Sequence, residues 1–501
     1  MALPEGGSIA WPPEEWQAIY DKYAEWSAWY SGDAQQIADV YARLVGRGPH
    51  GRFWAREVRE ERRVMLHVPV AGDIAEVAAD LLFSEVPDIR IAEAHDESAP
   101  RDAIEAQDRL WQLIDDGGVH SRLLEAAETA SALGGVFIGP VWDTTVADMP
   151  LLRVVQADAA LPEFRWGQLV AVTLWRVVED DGSTVWRHLE RHEPGVILHG
   201  LYRGTTTELG RRVPLASHPA TADLQEVVTL PPQMQDTLAI RYVPNMRPSR
   251  VWRSDPIGTY LGRSDYSGSE SLMDALDEVY TSWQRDIRLA KARLTVPDTW
   301  LQPVAMGDDG KAVLRFDEDK ELFVALPMDA TEGTLSATLF QPAIRFTEHE
   351  QTCLHYLERI ISAAGYSPQS FGLHIEGRAE SGTALRIRER KSFVTTAKKR
   401  RYWEPALADV LWMMLVLDRE IFRSGVTPYR PAVALADSIA ESTQEVAQSI
   451  ELLSRAKAAS TRTLVEMLHP DWSDEEIDAE VQRIMEEQGQ YVPDPLQVGI
   501  D

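Results

Sequence analysis

Three segments near the middle of the chain carry the strongest alternation of apolar and polar positions. Between 269 and 294, Leu272, Leu276, Val279, Trp283, Ile287, Ala290 and Leu294 recur at spacings of four and three. That is one apolar stripe on a helix of about seven turns. Asp274, Asp277 and Glu278 lie toward its start and Arg288, Lys291 and Arg293 toward its end, the polarity that suits the helix dipole. A second helix, 347–364, opens on Thr347 with Glu350 three residues on, a capping-box pattern. Leu354, Leu357 and Ile361 continue its apolar face, and Gly365 stops it. The third starts at Ser381 and carries a basic run. Pro405 interrupts its pattern and predicts a kink, after which Leu407, Val410, Leu411, Met414 and Leu417 form a buried face.

The flanks read differently. An aromatic helix at 14–30, with Trp16, Tyr20, Tyr23 and Trp26 on one stripe, and a helix at 34–44 form an N-terminal arm. Its expected role is docking against the body or a neighbouring subunit. The Gly/Pro-rich stretch 45–52 reads as a linker. From 68 to 242, helices at 74–82, 103–114 and 121–132 alternate with strands near 89–92, 134–141, 151–155, 169–177, 184–189, 196–202 and 237–242. This pattern predicts an α+β domain with an antiparallel sheet. A short β-rich insertion, 297–342, with strands at 311–316 and 322–326, separates the first two patterned helices. Pro368, Gly372 and Gly377 break 366–380 into a long loop, of the kind that often carries function. Helices are expected at 437–459, 461–468 and 473–488, the last opening on a Ser473/Glu476 capping box.

Charge and composition narrow the function. The 501 residues carry 79 acidic against 50 basic side chains, a net charge of −29. Most of such a surface repels polyanions. One cysteine, Cys353, leaves no internal disulfide framework and fits a reducing compartment. The N-terminus lacks the charge and apolar pattern of a signal peptide, and the longest apolar run, 410–417, is too short to span a membrane.

Gly134-Gly135 and Gly307-Asp308-Asp309-Gly310-Lys311 match neither GxxxxGK[ST] nor GxGxxG. The second reads as a hairpin turn. Without a phosphate-binding loop the chain is not expected to be an ATPase. His349 and Cys353 share a helical face, but His355 lies about 200° around from Cys353. No metal site and no cofactor are expected, and no nucleophile–base–orienter set stands out, so the chain reads as a non-enzyme.

The run Ile344-Arg345-Phe346 with Glu348-His349, then Ala364-Gly365-Tyr366-Ser367-Pro368, Phe371-Gly372 and Ser381-Gly382-Thr383-Ala384-Leu385, resembles portal proteins of tailed double-stranded-DNA bacteriophages, the head-to-tail connectors, of siphophage type. Asp255-Pro256-Ile257-Gly258 followed by Leu272-Met273-Asp274-Ala275-Leu276 is similar to the family's entry into its first stem helix. The resemblance covers 75–488 and lies in the order and spacing of weak motifs. It implies a portal fold: an N-terminal arm at 1–52, an α+β wing at 53–264, a first stem helix at 265–294, a β-rich clip at 295–343 and a second stem helix at 344–365. It further implies a tunnel loop at 366–380, a kinked helix returning to the wing at 381–430, a helical crown at 431–490 and a tail at 491–501.

What the resemblance implies functionally is a ring, twelve-fold in the family, at one capsid vertex of the virion, made in the host bacterial cytoplasm. DNA would pass its channel without sequence specificity during packaging and ejection. The implied partners are other copies of the chain, double-stranded DNA, the large terminase subunit, the head–tail adaptor, the major capsid protein and a scaffold, with no membrane. Gln369, Phe371, His374 and Arg378 are the tunnel-loop candidates for DNA contact. Asp308, Asp309, Asp317 and Glu318 are the clip candidates for motor or adaptor docking. Arg386, Arg390, Lys391, Lys398, Lys399, Arg400 and Arg401 form a basic cluster that meets either neighbouring subunits or DNA, with the subunit interface preferred. Two alternative readings compete with it: a packaging-associated nuclease or hydrolase, which would need a carboxylate metal cluster, and another structural head-completion protein.

Overall fold

The computed structural model describes residues 3–44, 53–54, 65–94, 99–290, 293–297, 323–326, 338–340, 343–373, 382–435, 450–469, 472 and 474–487. In chain order the elements are β1 (Gly6–Ala10), α1 (Gln17–Ser31), α2 (Ala34–Leu44), α3 (Val70–Phe83), β2 (Asp88–Arg90), α4 (Arg101–Asp116), α5 (Val119–Leu133), β3 (Gly135–Val141) and β4 (Leu151–Gln156). Then come β5 (Ala160–Arg165), β6 (Gln168–Asp180), β7 (Val185–Glu193), β8 (Val196–Gly204), β9 (Glu208–Val213), β10 (Val227–Thr229), β11 (Arg241–Pro244) and α6 (Glu270–Leu289). Three short strands, β12 (Arg293–Pro297), β13 (Phe323–Leu326) and β14 (Thr338–Phe340), precede α7 (Phe346–Ala364) and α8 (Gly382–Glu420). The chain continues through β15 (Ala432–Ala434), α9 (Thr461–Leu468) and α10 (Asp474–Glu487).

Two compact units result: Met1–Ile375 with Glu389–Ala436, and Glu376–Arg388 with Asp437–Asp501. In the first, an antiparallel sheet runs β1-β9-β8-β7-β6-β5, with β10 also on β8. A smaller sheet, β11-β3-β4, packs Phe137 of β3, with Ile240 just before β11, against Val172 and Leu174 of β6. β15 pairs with β2, so the return to the body extends a few residues past 430.

The β5–β6 hairpin turns on two residues, Trp166 (φ +53) and Gly167 (φ +78), with Arg165 opposite Gln168. Both positive angles mark the turn that matches strand twist, a place that favours Asn-Gly. The tryptophan there carries a left-handed cost of about 1–2 kcal/mol.

Two cores hold this unit. One gathers α3, α4, α5 and β3 around the apolar stretch of α8 from Trp403 to Leu417. Arg109 pins α4 to it through a two-pronged bond to the fully buried Asp418, at 2.9 and 2.8 Å. α8 runs through Pro405 without interruption, and Asp409 beyond it accepts from Arg241 and Arg430 at 2.9 and 2.8 Å.

The second core joins α1, α2 and α3 to α6 and α7, with Trp26, Trp29 and Tyr266 fully enclosed and Cys353 buried. The arm thus docks on its own body. Gly134-Gly135 are explained here too. Gly134 turns left-handed at φ +82, and a Cβ on Gly262 would lie 2.0 Å from its carbonyl oxygen. A Cβ on Gly135 would meet the Tyr242 hydroxyl at 2.5 Å. Both glycines permit close backbone approach, not phosphate binding.

In the second unit, α9 packs on α10 with Val465 and Ile477 buried, and Arg462 reaches Asp478 at 3.1 Å. The Ser460 hydroxyl caps α9 by accepting from the Thr463 amide at 3.2 Å. The Ser473 cap, most of the 437–459 helix, the 311–316 strand and the Gly307–Lys311 turn lie outside the described residues.

Candidate functional site

The first patterned helix is shorter than its periodicity suggests. α6 ends at Leu289, and Arg293–Pro297 is already a strand. β12 is central in a three-stranded sheet, parallel to β13 and antiparallel to β14, so the insertion at the helix tips folds as a small mixed sheet. The second helix also departs in detail. Its N-cap is Arg345, with no side-chain cap, so the Thr347/Glu350 box does not form. Gly365 ends it at φ +103 as expected.

α6 and α7 pack side by side. Trp283 stacks on the His349 imidazole (5.9 Å, 9°) and meets the Phe346 edge. Asp286 accepts from Arg345 at 2.7 Å and bonds His349 at 3.0 Å. The His349 bond, aided by the Arg345 charge, holds the Asp286 carboxyl below the usual carboxylate range. His349 therefore serves the helix pair. Among the described residues, no group of three His, Cys, Asp or Glu side chains is arranged to hold a metal ion.

At its other end α6 is anchored by acids on one face. Asp277, with no exposed surface, accepts from the Trp54 indole (3.1 Å) and the Val68 amide (2.8 Å) and bonds His67 (2.8 Å). Asp274 accepts from the amides of Phe53 and Trp54 at 2.9 and 3.3 Å. Glu270 takes the Trp26 indole and Lys22, each at 3.1 Å. Burial acts to raise the Glu270 carboxyl, and Lys22 with the indole outweighs it, leaving the group below its ordinary value. The sequence reading gave Asp274 and Asp277 to the helix dipole. Their main work is to hold Phe53, Trp54, His67 and Val68, which precede α3. The signal for this was their spacing of four and three with Glu270, which puts all three on one face.

Between this anchor and the loop after α7 lies a buried polar hub. One Asp265 oxygen accepts from the Ser131 hydroxyl (2.6 Å), the Tyr366 hydroxyl (2.9 Å) and the Lys399 ammonium. The other accepts from the Asn245 amide at 2.9 Å. Five segments of the chain meet at one carboxylate. Burial pulls the Lys399 pKa down against the opposing charge of Asp265, and it pushes the Tyr366 phenol well up.

This corrects the basic-cluster reading at one position. Lys399 is enclosed within the protomer and touches neither solvent nor a neighbour, because its helical face turns into the hub. Lys391 is exposed, but its ammonium caps the end of α7 on the Ser362 carbonyl and hydroxyl. Arg390, Lys398 and Arg401 are exposed, and Arg400 is half-buried. The Arg386 side chain lies outside the described residues.

The start of the loop is a fixed root. The Ser367 amide donates to the Ser392 hydroxyl at 2.9 Å, and Ser370 bonds the same hydroxyl at 2.9 Å. Pro368–Phe371 form one 3-10 turn, closed by Gly372 at φ +73. Phe371 packs edge-on against the buried Tyr366 at 6.2 Å, and Gln369 is half-buried beside it. Two of the four loop candidates are therefore in the root. His374 and Arg378, and the clip candidates Asp308, Asp309, Asp317 and Glu318, lie outside the described residues.

Residues 240–494 match the family described as "Phage portal protein, SPP1 Gp6-like". Among solved structures, the chain is similar to one from the neck of an empty gene transfer agent (GTA) particle, at 14% identity and a TM-score of 0.40, covering 88% of this chain and 98% of that one. It is also similar to one from the virion of a native GTA particle, at 11% identity and a TM-score of 0.37, covering 85% and 98%. No curated protein matches.

Proposed function

The chain belongs to the SPP1 Gp6-like phage portal protein family, and on that premise we propose that its copies assemble into a ring, a dodecamer, at one vertex of the capsid. Double-stranded DNA enters through the ring during packaging and leaves through it at ejection, without base readout. The observation that carries this reading is the family match across 240–494. That span holds the helix pair, the small sheet at its tips, the loop root and the long returning helix in one order. The chain acts as a structural channel. Its net charge of −29 suits passage, since an acidic wall repels phosphates and counter-ions limit the barrier.

Within that ring the small sheet β12–β14 and its acidic neighbours Asp308, Asp309, Asp317 and Glu318 form the clip. The clip receives the large terminase subunit first and the head–tail adaptor later. The wing and the α9–α10 unit face the major capsid protein and scaffold. Residues past the fixed root, with His374 and Arg378, form the part of the tunnel loop that meets DNA. The exposed Arg390, Lys398 and Arg401 contact neighbouring subunits.

Negative-stain electron microscopy with native mass spectrometry tests the ring. Particles with a central hole and about twelve subunits are expected; a chain that stays monomeric at every concentration overturns the reading. Deleting 374–378, which spares the root, should leave rings intact and impair packaging or retention of DNA. Normal packaging by that variant would remove the loop from the mechanism.

A further inference from the structure

Two features of the β5–β6 hairpin lie at its opposite ends and fit each other. At the closed end, Trp166 is 91% exposed in the left-handed conformation of the turn, with the exposed Arg165 beside it. A turn position that favours Asn or Gly holds the largest side chain, and that side chain touches nothing beneath it.

At the open end lies a cleft of about 360 Å³ between α1, α2 and the sheet. Tyr20, Tyr23 and Trp175 form its aromatic wall, and Ala24, Ser27 and Gln36 lie along it. The wall is rigid: the Trp175 indole donates to the Tyr20 hydroxyl at 2.9 Å, and that hydroxyl donates to the Ala160 carbonyl at 3.2 Å. Asp158 also lines the cleft. No cation among the described residues pairs with it, and burial raises its carboxyl above the ordinary range. Asp39 and Arg43, on the α2 side, offset each other, so Asp158 sets the sign of the cleft.

We propose that the Arg165-Trp166 tip of one protomer seats in the Tyr20–Tyr23–Trp175 cleft of the next copy, indole against the aromatic wall and guanidinium toward Asp158. The volume sits at the small end of the roughly 300–1,000 Å³ typical of ligand pockets. The tip cannot reach the cleft of its own chain. Trp166 lies six residues along β5 from Ala160, about 20 Å at strand rise. A knob and a hole at different places on one chain make a head-to-tail contact, which repeats and closes into a ring where the rotation allows. The desolvated Trp and Arg are the side chains that most often dominate such contacts. The inference rests on the ring reading and supplies one of its contacts.

The test uses full-length chains. Gln168→Cys places a thiol beside the knob, and Gln36→Cys places one at the cleft; both positions are exposed. The two proteins are mixed with a short bis-maleimide. A mixed dimer that neither protein forms alone is expected, and adding Trp166→Gly to the Gln168→Cys chain should abolish it. That glycine relieves the left-handed strain, so folding is kept, as a melting curve will verify. Asp158→Arg should weaken assembly at least about tenfold, with recovery on adding Arg165→Asp. Rings seen by microscopy without the mixed dimer, or rings unchanged by Trp166→Gly, overturn this contact and leave the ring reading standing. A chain that never oligomerises overturns both.

Discussion

The two halves of α6 place similar side chains in opposite surroundings. In the first half Glu270, Asp274 and Asp277 are buried; Glu270 accepts from the Trp26 indole of the arm, and the two aspartates accept from the Trp54 indole and from backbone amides that precede α3. In the second half Asp286 faces a largely exposed Arg345, and Ile287 is 43% exposed. Charge in the first half is architecture, bound into a core where a missing partner is costly. Charge in the second half is a surface adjustment between two helices. The helix thus changes from a body element to a projecting one near Val279, with no break in its backbone. Lys399, paired with Asp265, belongs on the body side of this divide, and Lys398 and Arg401 beside it do not.

The largest effect should come from Lys399→Ala. It leaves Asp265 buried without its cation, at a cost of about 3–5 kcal/mol by denaturant unfolding. Lys398→Glu with Arg401→Glu should stay within about 0.5 kcal/mol for the protomer, since both are exposed. Equal effects would dissolve the distinction between neighbours in the run. Next is Asp277→Asn, which keeps the shape and removes the charge that two N–H donors and His67 address. A loss of roughly 2–3 kcal/mol is expected, with earlier proteolytic cleavage N-terminal to α3 as the readout. Trp283→Ala, on the outer half, removes the His349 stack and should cost about 1–2 kcal/mol.

Smallest is Arg345→Ala, under about 1 kcal/mol and erased by high salt. Asp286 sharpens this end of the scale through pH. Its folded pKa is depressed, so its stabilisation is complete above the unfolded value of about 3.9 and is lost as pH falls through the folded one. A variant lacking Asp286 should therefore be less stable than the parent near neutrality and lose less stability on acidification, so that the two converge below about pH 4.

Much of the architecture was legible because it rests on periodicity. The stripes at 272–287 and 407–417 and the aromatic arm appear where their spacing puts them. Elements that do not advertise a period were missed. β5, Ala-Leu-Pro-Glu-Phe-Arg, contains Pro162, which argues against a central strand; it lies at the sheet edge, where proline is tolerated. β1 and β9 are glycine-bearing and half polar and pair only with the help of the rest of the sheet. The Thr347/Glu350 box failed because the N-cap is Arg345, two residues before Thr347.

For the site, the local pattern misled wherever a charge was paired at long range. Lys399 reads as one more cation of its run, because its partner Asp265 is 134 residues away. Phe371 reads as a loop tip, because nothing local announces Tyr366 as its support. The loop's fixed root and its remainder are one Gly/Pro-rich stretch in the sequence.

Cys353 gives this divide a built-in clock. The thiol is 2% exposed, sits where α7 meets the body core, and has its ionisation suppressed by burial. An alkylating reagent can reach it only when α7 lifts from α6 and α3. The rate of modification of a chain with one cysteine then measures how often α7 separates from the body, with no label to introduce.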